Sequence, residues 1–434
     1  MSSLGYKRYV LSVLTAVYLL NLVDRGLMML LLQPIKLDLH LSDTQLGFLT
    51  GIAFAIFYAT MGVPIARVAD HGNRVTLTSV AIGLWGATVI ACGLVGNFFQ
   101  LLLARMAAAV GEAGAMPPTY SLVGDYFPGA AERTRALSIY VSGGTLSALV
   151  SFILGGWINE HYGWRVAFLT MGIPGLLVAA IVRTTVAETR EEGRSNSART
   201  RLRRPVAGVF AFMWQQRSCR YLTAAFVVLY MVSLGLSPWY AAFLMRKYGT
   251  GTAELGLWLG LIIGLGGTLG VLAGGYIAGQ VLASDEPAQL RCIAIGIACL
   301  VPCLVAFLTV SQKYQALLAL IPMTMAFNFF FGPIYALLQR LVPDEMRATM
   351  LSIVMLLANL IGMGIGPQIV GVLSDLTGAE RGVTGLRNAM LAMSFVSLGG
   401  SYLFWRASQT VRQDLLDRAT PPLPHLESTV AGTD

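Results

Sequence analysis

The sequence predicts an all-α integral membrane protein of twelve transmembrane helices, built as two pseudo-symmetric six-helix halves. Three observations carry that expectation. Hydrophobic residues make up 56% of the 434-residue chain and charged residues only 12%, well below the charged share of about 25% in soluble domains. The apolar residues fall in runs of about 20, the length that crosses a bilayer as a helix, and the alternating strands of an outer-membrane barrel are absent. A long polar interruption at 188–218 divides the runs six and six.

The spans are expected near 8–32, 44–66, 75–95, 98–120, 135–157, 165–187, 220–244, 254–279, 291–311, 314–338, 347–373 and 386–408. Lys7 and Arg8 precede the first run as in a signal peptide. That run then meets Asp24 and Arg25 and has no small-residue cleavage site, so it reads as an uncleaved first helix. Lys and Arg number 30 against 22 acids, a net charge of +8. They concentrate at the termini and at the even-to-odd connections, which by the positive-inside rule places both termini in the cytoplasm of an inner (plasma) membrane. Arg190, Arg194, Arg199, Arg201, Arg203 and Arg204 give the interruption the character of a solvated linker beside anionic headgroups. With no fold there to position it, nucleic acid is not the expected partner. The expected organisation is a first half at 1–187, an Arg-rich cytoplasmic linker at 188–218, a second half at 219–408 and a disordered cytoplasmic tail at 409–434, the tail marked by Pro421, Pro422 and Pro424. A monomer surrounded by membrane lipids is expected.

The halves repeat. Pro118-Thr-Tyr120, then Pro128 and Arg133 with Leu137-Ser138-Ile139, recurs as Pro333-Ile-Tyr335, Pro343 and Arg347 with Leu351-Ser352-Ile353, offset by 215 residues before the loop and 214 after it. Duplication of half the length is what a transporter of two parallel repeats should show.

Chemistry concentrates in the fourth span, RMAAAVGEAGAMPP from Arg105 to Pro118. A charge at the centre of a membrane helix costs about 3 kcal/mol on insertion scales, so such residues face a protein interior or a wet passage. Arg105 and Glu112, seven residues apart, share nearly one helix face. The small residues between them let neighbouring helices approach closely, and Pro117 and Pro118 are expected to break the helix. Asp24 and Arg25 in the first span point in directions about 100° apart. They can form Asp24–Arg105 and Arg25–Glu112 pairs, or the crossed ones. Four charges in a dry core are expensive even when paired, so a wet cavity is expected. Burial favours a protonated carboxylate and a nearby arginine favours an ionised one. Glu112 is therefore the expected proton carrier, with Arg25 as its favoured partner and Asp24 assisting, and Arg25 and Arg105 are the expected anion-facing groups.

Cys92, Cys219, Cys292, Cys299 and Cys303 form no CxxC pair and read as small buried hydrophobes. His40, His71, His161 and His425 all fall in loops or the tail. No nucleophile–base set or metal ligand set lies at membrane depth, so neither enzyme chemistry, a metal nor a cofactor is expected. The glycine clusters at Gly143-Gly144, Gly264 to Gly267 and Gly362 to Gly366 lack the strand and lysine of a phosphate loop and read as close helix packing. The second half has no charge clearly within a span. It offers Trp239, Tyr240, Asn328, Tyr335 and Asn359 as possible cavity lining, together with Trp258 and the aromatic run Phe329 to Phe331. A charged half opposite an apolar-aromatic half suits an amphipathic solute.

The connection Ala69-Asp70-His71-Gly72-Asn73-Arg74 resembles the major facilitator superfamily signature Gly-x-x-x-Asp-Arg-x-Gly-Arg-Arg, with Ala66 at the glycine and His71 at an arginine. The counterpart near Gly275 to Arg291 is degenerate. LSDTQLGFLTGIAFAIFYATMGVP (Leu41 to Pro64), RMAAAVGEAGAMPPTYSLVGDYFP (Arg105 to Pro128) with Arg133, Asp24-Arg25, and Gly163-Trp-Arg165 look like the Spinster-like branch. The anion:cation symporter branch is the nearest competitor. The resemblance implies a major facilitator fold working by alternating access, and a cytoplasmic gate around Asp70 and Arg74, to which Asp125, Arg133 and Arg347 are added. It further implies a lysophospholipid or sphingolipid substrate, driven by protons in some members. Alternatives are a proton-coupled transporter of small organic anions or drugs and, in another class, a transport-inactive membrane sensor.

Overall fold

A computed structural model of the chain describes residues 3–189, 206–282, 285–378 and 382–419. The regular structure among them is all helical. The first half holds α1 (Leu4–Leu39), α2 (Asp43–Thr50 and Ile52–His71, bent at Gly51), α3 (Arg74–Leu94), α4 (Phe98–Tyr126), α5 (Ala130–Tyr162) and α6 (Trp164–Thr185). A short helix α7 (Val206–Gln215) leads to α8 (Arg217–Leu236), α9 (Trp239–Tyr248), α10 (Thr252–Val281), α11 (Glu286–Thr309), α12 (Lys313–Leu341), α13 (Asp344–Gly378) and α14 (Gly382–Ala419). Eleven helices among the described residues are long and apolar enough to cross a membrane. The twelfth long helix, α14, is less apolar because Ser394, Ser397 and Ser401 stand in its middle. Their hydroxyls donate to the carbonyls of Met390, Ser394 and Ala294 at 2.8, 2.6 and 2.6 Å, which makes them compatible with a helix packed against α8, α11 and α13.

Polar residues at the membrane boundaries start the helices. Ser42 and Gln45 form a reciprocal capping box at α2, Asn73 accepts from the Thr76 N–H at 2.8 Å, and Asn97 accepts from the Gln100 N–H at 3.0 Å. Within the first half α1 packs on α5, α3 on α4 and α6, and α2 on α4. Within the second, α8 packs on α14 and α10 on α12.

Several expectations are corrected. Pro117 and Pro118 do not break α4, which runs unbroken to Tyr126. Each lacks the N–H that would bond the carbonyl four residues back, at Ala113 and Gly114, and the Thr119 hydroxyl bonds the Ala115 carbonyl at 2.8 Å. The seventh span is instead two helices, α8 and α9, separated at Ser237-Pro238 because proline cannot continue the ladder. The linker's final stretch is not a polar coil but the apolar helix α7; residues 190–205 lie outside the described residues. The tail is helical to Ala419. Asp414 accepts the Ser218 N–H at 2.8 Å and Thr410 bonds the Ser218 hydroxyl at 2.8 Å, so the extension caps α8; residues 420–434 lie outside the described residues.

The two halves meet along α2–α13 and α5–α10, and a polar cluster joins them at the end remote from the termini. The Asp43 carboxylate accepts from Arg246 Nη1 and Nη2 at 2.7 Å each, from Lys36 Nζ at 2.5 Å and from Ser374 Oγ at 2.6 Å. Asp375 of the second half accepts the N–H groups of Asp43 and Thr44 at 3.2 and 2.7 Å and the Thr44 hydroxyl at 2.6 Å. A carboxylate of one half thus caps a helix of the other, where unpaired N–H groups and the helix dipole favour it. The backbones touch there as well. A Cβ on Gly371 would lie 2.3 Å from the Asp43 carbonyl oxygen, and one on Gly51 2.3 Å from that of Gly364.

Arg246→Ala leaves a buried Asp43 short of its bidentate partner. Breaking a buried pair costs about 3 kcal/mol at the low end, roughly a hundredfold in population. Spin labels replacing Leu37 and Leu376, both exposed on opposite halves at this end, should acquire a longer distance component in the variant. An unchanged distance distribution would argue that the cluster does not hold the halves together.

Candidate functional site

Asp24 and Arg25 occupy the middle of α1 and face α4 and the space between halves respectively. Their divergence around the helix resolves four charges into two separate pairs of unlike character. Arg105 Nη1 donates to Asp24 Oδ2 at 2.6 Å, and the Trp85 indole N–H donates to Asp24 Oδ1 at 3.2 Å. Asp24 is 0% and Arg105 3% exposed, and Trp85 is fully buried. This group ties α1, α3 and α4 together inside one half.

The second pair joins Arg25 to Glu112, with the glutamate side chain 0% and the arginine 23% exposed. Among the described residues Glu112 has no other charge partner and neither carboxylate oxygen receives a hydrogen bond of good geometry. Asn21 donates to the Glu112 backbone carbonyl at 3.4 Å, not to its carboxylate. The Arg25 guanidinium lies 4.9 Å from the ring centres of Phe54 and Tyr58, and the Arg105 guanidinium 4.9 Å from Phe54 on the same helix. Such cation–π contacts hold a cation in place without neutralising it. Arg25 also reaches the other half, donating to Met363 Sδ at 3.5 Å.

Both arginines open onto one small cavity of about 40 Å³, room for a few waters. Met28, Met29, Thr50 and Phe54 line it from the first half and Leu234, Pro238 and Met363 from the second. The wet four-charge cavity expected from the sequence is corrected to a largely dry group. Only Arg25 is appreciably exposed, because Trp85, Arg105 and the helix packing seal Asp24.

At the termini end, Arg74 is buried and donates to Asp125 Oδ2 at 2.6 Å, to Ser121 Oγ at 2.8 Å and to Glu188 Oε1 at 2.5 Å through Nη2. Its own N–H also donates to Glu188 Oε2 at 2.6 Å. Asp70 ends α2, but its side chain lies outside the described residues. Arg133 packs across Gly124, where a Cβ would fall 2.2 Å from Arg133 Nη2, while Arg347 donates from Nε to the Gln339 carbonyl at 2.8 Å and pairs with Asp344 at 2.9 Å. Gly124 and Gln339 stand 215 residues apart, the repeat's own offset, so the duplicated arginines grip equivalent positions.

The second-half candidates divide. Trp239 and Tyr240 are buried and do not line the cavity; Tyr240 packs edge-on against Phe307, 5.6 Å between centres. Pro238, just before them, does line it. Asn328 and Asn359 bond back to the carbonyls of Thr324 and Met355, each at 2.9 Å. Tyr335 joins an aromatic cluster with Phe226 and Phe331, 5.4 and 6.4 Å away. None of the three lines the cavity described above. Trp85, Asn21, Phe54, Tyr58, Glu188, Arg246 and Met363 escaped sequence reasoning. Phe54 and Tyr58, four residues apart on α2, could have been found as an aromatic stripe facing the α1 charges. The rest carry no local signal.

The sequence pattern of the Major Facilitator Superfamily matches residues 14–367. The chain is 33% identical over 409 residues, 94% of either protein, to an MFS-type efflux pump of Mycolicibacterium smegmatis. It is 25% identical to Protein spinster homolog 1 of Xenopus laevis, covering 95% of this chain and 83% of that one. A hexuronate transporter of Bacillus subtilis is also 25% identical, over 84% of this chain and 87% of its own. Among solved structures, a bacterial homologue of the human lysosomal transporter Spinster, inward-facing and unoccupied, superposes with a TM-score of 0.86 at 28% identity, covering 95% of this chain and 99% of that one.

Proposed function

We propose that this chain, which belongs to the Major Facilitator Superfamily and has a Spinster-like fold, is a proton-coupled transporter of amphipathic, lipid-like anions of the lysophospholipid or sphingolipid class. It is a multi-pass membrane transporter and not an enzyme. The observation that carries the reading is the inequality of the two buried pairs. Asp24 is held by two donors, whereas Glu112 has Arg25 alone among the described residues. A carboxylate with one partner changes protonation when that partner moves. A proton on Glu112 frees Arg25, the more exposed of the two arginines that line the cavity, to take an anionic headgroup. The methionines and Leu234 beside it suit an acyl chain.

In this reading the termini lie in the cytoplasm of an inner (plasma) membrane and the protein works as a monomer. The Asp43–Arg246 end is then the outer gate, closed here. Likeness to an inward-facing structure supports that assignment. The Arg74, Asp125 and Glu188 cluster, with Arg133 and Arg347, serves the cytoplasmic gate in the opposite state. A second reading, transport of small organic anions, draws on the hexuronate transporter among the relatives and on the small size of the cavity.

Proteoliposomes decide between them. A lysophosphatidylglycerol should cross in a protein-dependent way that an imposed pH gradient accelerates, while glucuronate should not. Failure to move any lysolipid or sphingolipid, with or without the gradient, would remove the substrate assignment, and glucuronate flux would install the second reading.

A further inference from the structure

α13 departs from the α-helical ladder between Ala358 and Ile365, where it takes π-helical turns. Such bulges frequently mark functional positions, because they re-aim side chains. Met363 lies within these turns. Gly364 beside it lets α13 reach α2, since a Cβ there would stand 3.2 Å from Ala55 Cβ. Met363 crosses to the first half, is 5% exposed, and packs with Phe54, Ala55 and Ala109. It also lines the cavity and receives the Arg25 Nη1–H at 3.5 Å.

A thioether is a weak acceptor. Arg25 therefore has a full counter-charge on the Glu112 side and, from the other half, a soft sulfur as its hydrogen-bond acceptor. Its Nε has no hydrogen-bond partner among the described residues. A guanidinium presents five donors suited to an oxyanion, and here a flexible, unbranched side chain covers part of that fork. Met28 and Met29 line the same cavity, giving it walls that repack readily around a ligand.

Resting on the reading above, we propose that Met363 is a displaceable cover on Arg25 and sets the preference for anionic headgroups. The headgroup oxyanion takes the place of the sulfur at Arg25 Nη1, exchanging a weak N–H···S contact for a charge-assisted N–H···O bond. The displaced methionine then packs along the apolar part of the ligand. The cover comes from the second half and the cation from the first, so ligand arrival alters a contact between halves.

Two near-isosteric variants test this, with lysophosphatidylglycerol as the anionic probe and a monoacylglycerol of equal chain length as the neutral one, titrated against purified protein in non-ionic detergent. Met363→Gln supplies a stronger acceptor, so its Kd for lysophosphatidylglycerol should rise about tenfold more than its Kd for monoacylglycerol, a difference worth one hydrogen bond. Met363→Leu removes the acceptor and should bind lysophosphatidylglycerol at least as tightly as the parent. Met363→Leu carries the test alone if the glutamine variant does not fold. Equal shifts for both ligands, no shift in the glutamine variant, or weakened anion binding in the leucine variant would reduce Met363 to packing. A parent protein that binds neither probe would instead overturn the transport reading on which the cover rests.

Discussion

Asp24→Ala should lower the stability of the protein by about 3–5 kcal/mol, the cost of removing one partner of a buried ion pair. The loss is large because Arg105, 3% exposed, would keep its charge with no acid beside it, and the Trp85 indole would lose its acceptor. Unfolding followed in mild detergent should show a fall in Tm of many degrees. The double replacement Asp24→Leu with Arg105→Met should recover most of the loss, since exchanging a buried pair for apolar residues of similar volume is often neutral or stabilising. An Asp24→Ala protein with the parental Tm would contradict the assignment of this pair to the scaffold. So would a double variant no better than the single one, because the penalty would then come from something other than the stranded charge.

This separates two roles that share one dipeptide. Asp24 fixes the rotation of α1 against α3 and α4. That rotation aims Arg25 at the cavity and at Glu112. Loss of transport in an Asp24 variant should accompany loss of stability, whereas loss in a Glu112 variant should not.

The sequence made the membrane helices, their number and the two-fold repeat legible, because apolar runs and matched Pro, Arg and Tyr residues are local signals. It also singled out the four membrane charges, since a charge in an apolar run is conspicuous whatever its partner. The sequence favoured Arg25 as the partner of Glu112, but it could not exclude the crossed pairs. Asp24–Arg105 and Arg25–Glu112 are decided by the turn of α1 relative to α4, and by Trp85, which lies on a third helix. The unbroken course of α4 through Pro117 and Pro118 runs against the local signal, since proline removes a ladder bond. The break at Pro238 had a signal in its proline, but an apolar run continues across it and hid the interruption. The outer cluster was the least visible. Asp43, Arg246 and Asp375 belong to the ends of three helices far apart in the chain, and each alone looks like an ordinary charge at a helix end.

Glu112→Gln bears on the central claim, that one singly partnered carboxylate couples protons to transport. Glutamine keeps the shape and polarity of a protonated glutamate and cannot ionise, so Arg25 stays released and the fold stays intact. In proteoliposomes the variant should lose uptake driven by a pH gradient, down to the protein-free level. It should retain counterflow, the exchange of labelled for unlabelled lysophosphatidylglycerol, which needs substrate binding and alternation but no net proton movement. Gradient-driven uptake that survives in Glu112→Gln, or counterflow lost to the same extent as uptake, would contradict the account.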